Sequence, residues 1–223
     1  MARLPEHLSS TPAGEEQISP AVLGEHQRGR VLAAAIPLFA KRGYLGTTVD
    51  DILAAAKVGV GNFYDLFEGK EDCFLGCFDQ VVGAARTQMT EAAEAGSDWS
   101  ERTYLGLRAL IGAMLASPLE ARLALVEAQS AGPEALSRYN ALLDEGIAWL
   151  GEGRSVNPGA RELPAGFGRT AVSGLAFYLQ QCLLGAVSVE PGRLIEEAAG
   201  LVIEPIVGAA ELRRLRSLAA QPA

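Results

Sequence analysis

The stretch Thr47–Lys70, TTVDDILAAAKVGVGNFYDLFEGK, constrains the chain most. Thr47 stands three residues before Asp50, the spacing of a capping box with Asp in place of Glu or Gln. Val49, Ile52, Leu53 and Ala56 then recur at helical spacing and predict a helix over about 48–56. Lys57-Val58-Gly59 interrupts it, with Gly59 supplying permissive backbone. A second helix is expected over about 60–67, with Phe63 and Phe67 on one face. Two short helices joined by so few residues form a helix-turn-helix, whose second helix enters a DNA major groove.

Periodicity elsewhere is helical throughout, and no alternating strand pattern occurs, so the fold class is all-α. Residues 1–23, rich in Pro, Ser, Gly and Glu, read as a flexible tail. Helix one is expected over 25–43, striped by Val31, Ala34, Ala35, Leu38 and Phe39, with Pro37 bending it. Residues 24–70 make the helix-turn-helix domain. A long helix from Lys70 to about Ala95 opens a helical body over 71–217, and 218–223 form a short tail. Further helices are expected at about 99–117, 119–130, 133–152, 166–189 and 192–217. Ser117-Pro118 and Gly132-Pro133 mark breaks, because proline suits a helix start and disfavours helix before itself. Gly151–Pro164 reads as a loop, and Pro205 should kink or split the last helix.

The formal net charge is −8, a poor footprint for a nucleic-acid binder. Its distribution softens this. Between Val22 and Lys70, Arg28, Arg30, Lys41, Arg42, Lys57 and Lys70 stand against Glu25, Asp50, Asp51, Asp65 and Glu68. The segment is therefore slightly basic and the remainder acidic. Screening within about 8 Å lets a small basic face act beside an acidic body.

Cys73, Cys77 and Cys182 make no even disulfide framework, and a reducing cytoplasm fits them. Cys73 and Cys77, one helical turn apart, are either a metal or redox pair or ordinary core. With His7 and His26 the only histidines and no nucleotide-binding, metalloprotease or hydrolase motif, neither catalysis nor a cofactor or metal is expected. Thr170–Val189 is charge-free and long enough to span a bilayer, but Ser173, Gln180, Gln181 and Ser188 interrupt it. A buried subunit interface is the reading adopted, with no membrane partner. Ala171, Gly174 and Gly185 would permit close approach, and Leu175, Leu179 and Leu183 would supply burial.

The region over 31–71 resembles the TetR family of bacterial transcription regulators. The resemblance rests on Phe39, Gly43-Tyr44, Thr47-Thr48, Ile52, Ala55-Ala56, Val58, Gly61, Phe63-Tyr64, Phe67 and Lys70-Glu71. Departures are Lys57 at the usual turn glycine, Gly59 at the usual Ser or Thr cap, Val60 for a frequent Lys or Arg, and acidic Asp65. The resemblance implies a homodimeric cytoplasmic repressor, released from a double-stranded DNA operator by a small, largely apolar effector. Thr47 would cap helix two, and Thr48, Tyr64 and Lys70 would hold phosphates. Val49, Val60, Gly61 and Asn62 would meet bases, and Arg28 would either approach a phosphate or remain solvated. Phe78, Val82, Tyr104, Met114, Glu127, Trp149, Phe177, Tyr178 and Gln181 are candidates to line the effector cavity; each alone is as compatible with plain core, and Glu127 with an exposed helix charge. The alternative is a helical small-molecule carrier or enzyme whose helix-turn-helix is only structural.

Overall fold

The computed structural model describes residues 20–219, and every regular element among them is helical. The tail expected over 1–23 lies outside the described residues up to residue 19. Helix α1 (Pro20–Arg42) already begins at Pro20 and continues through Pro37. Gly43 then takes φ +78°, a left-handed value that suits glycine at a helix end. Helices α2 (Val49–Ala56) and α3 (Val60–Leu66) follow, and α4 (Lys70–Glu94) leads away from them.

The body holds α5 (Trp99–Ala116), α6 (Pro118–Leu125), a 3-10 turn (Glu127–Gln129) and α7 (Pro133–Val156). A second 3-10 turn (Pro158–Glu162), α8 (Phe167–Leu183), α9 (Pro191–Val202), α10 (Glu204–Val207) and α11 (Ala209–Ala219) complete it. Asp98 caps α5 by accepting from the Glu101 amide, and Pro118 opens α6 after a bend of 109°.

Two expectations need correction, and a third is met. The loop predicted over 151–164 is largely helical, because α7 runs to Val156 and a 3-10 turn follows. Gly153 is there for packing: a Cβ would lie 2.2 Å from the Trp99 indole. The split expected at Pro205 occurs: the last helical run is divided at Ile203 just ahead of Pro205, and a second time at Gly208, whose φ is +84°. The charge-free run 170–189 is helical only to Leu183, and no single helix among the described residues is long and apolar enough to cross a membrane.

Two apolar cores hold these elements. One contains Phe39, Ile52, Phe63, Phe67, Phe74 and Phe78, and extends into the body through Leu123, Ala128, Ala135 and Tyr139. The other gathers Tyr104, Ile111, Met114, Leu150, Leu194, Ile203, Leu212 and Leu215. The first core therefore does not stop at residue 70: α6 and α7 close it from the body side, and α6 packs on α1.

Candidate nucleic-acid interface

The interface is built from short helices that could not stand alone. Helices of eight and seven residues are below the length at which a helix persists in water, so α2 and α3 depend on caps and packing. Thr48, not Thr47, caps α2. Its hydroxyl accepts from the Asp51 amide at 3.2 Å, and the Asp51 carboxylate accepts from the Thr48 amide at 2.9 Å, closing the box one residue later than expected. The Thr48 hydroxyl and amide, with Arg42 at 2.8 Å, hold the Asp51 carboxyl below the usual carboxylate range. Thr47 is fully buried, and its hydroxyl donates to the Gly43 carbonyl at 2.9 Å. It neither caps α2 nor reaches solvent, which removes it from the DNA-contact set.

The turn between α2 and α3 passes through Lys57 at φ 55°, ψ 48°, where its amide donates to the Leu53 carbonyl. Gly59 precedes α3 and offers no side-chain cap. Phe63 and Phe67 are buried beneath α3, while the opposite face stands in solvent: Val60 is 58 % exposed and Tyr64 55 %. Gly61, Asn62 and Asp65 share that exposure. Tyr64 leans edge-on against Phe63 at 5.3 Å between ring centroids, so its ring is braced while its face stays open. A Cβ at Gly61 would meet nothing within 4 Å. The expected base-reading residues Val60, Gly61 and Asn62 therefore share one open surface with Tyr64. Thr48 is exposed and Val49 half-buried at the start of α2.

The basic residues have other work. Arg28 donates to the Leu66 carbonyl at 2.7 Å and lies over the Phe67 ring at 4.3 Å, which caps the end of α3. Arg30 donates to the Ala56 carbonyl at 3.2 Å, capping α2. Lys70 donates to the carbonyls of Tyr44 and Thr47, each at 3.0 Å, with its ammonium 4.2 Å from the Tyr44 ring centroid. Arg28 and Lys70 thus fasten the reading head, the unit of α1–α3, where Lys70 was expected at a phosphate and Arg28 at a phosphate or in solvent. No sign of this is legible in the sequence, because the acceptors are carbonyls 23 to 38 residues away.

The nine residues named as effector-lining do not converge. Phe78 and Val82 are buried in the core shared with the head, and Tyr104 and Met114 in the body core. Trp149 donates to the Thr103 hydroxyl at 2.7 Å, and its carbonyl accepts from the Trp99 indole. Tyr178 donates to the Glu197 carboxylate, which with burial pushes its phenol up to about 12. Gln181 is half-buried and Phe177 is 61 % exposed. Glu127 is neither an exposed helix charge nor part of a cavity. It is buried, accepting from the Tyr44 amide at 3.1 Å with Arg122 3.6 Å away. Two surface concavities flank Pro37, one beside Lys41 and Ala55, the other between Ile36, Gln80 and Leu119. Neither is lined by any of the nine.

Cys73 and Cys77 are both fully buried, Cys77 contacting the Leu32 carbonyl at 3.7 Å. No group of three or more metal-ligating side chains occurs among the described residues.

Residues 31–77 match the family model described as bacterial regulatory proteins, tetR family. An uncharacterized HTH-type transcriptional regulator of Bacillus subtilis, YhgD, is 31 % identical over 81 residues, covering 36 % of this chain and 42 % of that protein. The HTH-type transcriptional regulator HbdR of Aromatoleum is 34 % identical over 87 residues, covering 39 % and 38 %. The chain thus aligns with less than half the length of these curated relatives. Solved structures extend the likeness of fold. A putative TetR-family regulator of Syntrophomonas wolfei superposes with a TM-score of 0.65 at 19 % identity, over 89 % of this chain and 97 % of that one. FadR of Bacillus subtilis in complex with stearoyl-CoA gives 0.63 at 19 % identity, over 81 % and 98 %. Residues 31–77 thus carry the tetR-family match, and the helical body that continues them shares its fold with solved TetR-family regulators.

Proposed function

We propose that the protein is a transcriptional repressor that binds duplex DNA as a homodimer and lets go when a largely apolar small molecule occupies its body. The observation that carries this reading is the open face of α3. Val60, Gly61, Asn62 and Tyr64 are presented to solvent on a helix whose other side is locked by Phe63 and Phe67. A braced, exposed apolar and aromatic surface on so short a helix suits base edges, thymine methyls and sugar-phosphate.

A second copy of the chain fits the far end of the body. Gly174 and Phe177 of α8 and Leu184 beyond it form an exposed apolar strip, with Leu201 of α9 beside Gly174. Ala171 and Leu179 face the body's own core, so Phe177 replaces Leu179 as the residue that would report on the interface. The FadR–stearoyl-CoA complex supports an apolar effector for a body of this shape.

The test begins with selection of fragments bound by the protein from genomic DNA, followed by affinity measurements on the enriched fragment. Gly61→Ala adds one methyl that meets no protein atom and puts a better helix former in α3, so thermal stability should hold or rise slightly while affinity falls at least tenfold. Tyr64→Ala should weaken binding to specific and non-specific duplexes alike and flatten the salt dependence. Enrichment of no DNA by the wild-type dimer would overturn the reading in favour of a helical carrier.

A further inference from the structure

We propose that Glu127 is a positioning residue for the reading head: its buried carboxylate latches the 3-10 turn that follows α6 onto the loop that sets α2. This deepens the DNA-binding reading and rests on it for one arm of its test.

The loop 43–47 joins α1 to the capping residue Thr48, so its placement fixes where α2, and the α3 packed beside it, point. Its polar groups are bound one by one. The Gly43 amide donates to the Phe39 carbonyl at 2.9 Å, and the Gly43 carbonyl accepts from the Thr47 hydroxyl. The Tyr44 and Thr47 carbonyls accept from Lys70, the first residue of α4. The Tyr44 amide has its partner 83 residues away, in Glu127. Two body-facing elements therefore grip one loop through the same residue, α4 through its carbonyl and the 3-10 turn after α6 through its amide.

The Glu127 side is built tightly. The residue is 7 % exposed, among the few charged or polar side chains buried in the described part of the chain. A Cβ on Gly43 would come within 3.2 Å of its Oε2, and Gly43 is held in the left-handed region, so the loop has room for this carboxylate and no side chain. The Tyr44 ring is clamped between Phe39 and Phe74 with Lys70 over its face. The amide cannot swing away to find another acceptor. On the body side the carboxylate meets Arg122 of α6 at 3.6 Å, and the Arg122 Nε is enclosed with no hydrogen-bond partner among the described residues. A charged buried acceptor is worth more than a neutral one, and removing it strands the Tyr44 amide and takes a counter-charge from the part-exposed Arg122. The latch gives α6 a direct hold on the head, separate from any tilt of α4. Displacement of α6 by a bound effector would be felt first at Tyr44.

The experiment is NMR-detected amide exchange on the full chain, as wild type, Glu127→Gln and Glu127→Ala. In the wild type the Tyr44 amide should exchange as slowly as the buried amides of α4. Glu127→Ala should speed exchange across residues 43–56 at least tenfold and leave α9 and α11 within twofold. Glu127→Gln keeps an oxygen acceptor and should restore most of the protection. On the DNA fragment enriched by the wild type, Glu127→Ala should bind at least tenfold more weakly, with Glu127→Gln between. A fast Tyr44 amide in the wild type overturns the latch even if Glu127→Ala does not fold. So does exchange in Glu127→Ala that is unchanged, or raised equally in head and body. If the wild type enriches no DNA, the functional reading fails while the exchange data still decide the latch.

Discussion

The head (α1–α3 with the start of α4) and the body use most of their cations differently. The exceptions are Arg42, paired with Asp51 in the head, and Arg154, which donates to the carbonyls of Arg161, Leu163 and Pro164 in the body. In the head, Arg28, Arg30 and Lys70 donate to backbone carbonyls of Leu66, Ala56, Tyr44 and Thr47. In the body, Arg86, Arg138, Arg169, Arg193, Arg214 and Arg216 meet carboxylates. For Arg28 and Arg30 the reason is helix length, whereas Lys70 closes carbonyls of the loop 43–47. Short helices end in unsatisfied carbonyls that must be closed from elsewhere, and a cation near a C-terminus also complements the helix dipole. The long body helices need register more than caps, and carboxylate pairs between neighbours supply it. The consequence is electrostatic. A cation bonded to a carbonyl keeps its full charge, whereas one paired with a carboxylate sums to zero. The head thus holds fixed positive charge close to α2 and α3 in a chain whose net charge is −8, the local field that phosphate attraction needs.

The comparison breaks most visibly at the aromatic floor of the head. Phe63 is fully buried against Phe67 and Tyr64, and its removal leaves a cavity beneath a seven-residue helix. Phe63→Ala should cost about 3–5 kcal/mol and abolish DNA binding. Denaturant unfolding reads the first and affinity the second. A loss below about 1 kcal/mol would show that α3 does not depend on this packing.

Acid should separate the two regions next. Glu101 is pulled down to about 2 by the Ser97 hydroxyl, Arg214 and the Ser97 amide, and Glu211 is lowered by Arg214. Both folded-state values lie below the ordinary 4.5, so their contribution is complete above that pH and is lost as pH falls towards 2. These groups tie α11 to the start of α5, through Ser100 as well. In the head the Asp51 cap of α2 weakens in the same direction, but α1 and α4 are held by buried aromatic packing. Between pH 4.5 and 2, amide protection should therefore fall in α11 before it falls in α1 and α4. Simultaneous loss would show that the ion pairs are not what holds α11.

How much of this was legible in the sequence follows the same divide. In the head, aromatic residues at fixed spacing have few alternatives, so the helix-turn-helix, its boundaries and the buried Phe63 and Phe67 were readable. The capping box was misplaced by one residue because Thr47 and Thr48 both stand three before an aspartate; only the inward bond of Thr47 to Gly43 decides between them. In the body, interchangeable aliphatic side chains announce helices but not their partners. Gly151 and Gly153 looked like a loop, whereas Gly153 leaves space for an indole 54 residues earlier in the chain. Glu127 stood out as an acid in an apolar run, yet its partner amide lies 83 residues away. Site residues whose partners are backbone groups leave no mark of their own in a sequence.

The smallest effect expected is also the sharpest check on the head's construction. Lys57 is the one residue other than glycine with positive φ among the described residues, at the turn between α2 and α3. A side chain in this region costs about 1 kcal/mol or more in contact with its own backbone, and glycine escapes that cost while adding freedom to the unfolded chain. Lys57→Gly should therefore stabilise the protein by about 0.5–1 kcal/mol, seen as a rise of a few degrees in melting temperature. Lys57 is exposed, so the same change removes one unit of positive charge from the head and should weaken DNA binding slightly. Lys57→Ala separates the two effects, since alanine loses the charge and keeps the strain. It should lower affinity as much as glycine does without the gain in stability. If both variants were equally stable, the strain at Lys57 would be too small to matter, and the departure from glycine there would be a matter of charge alone.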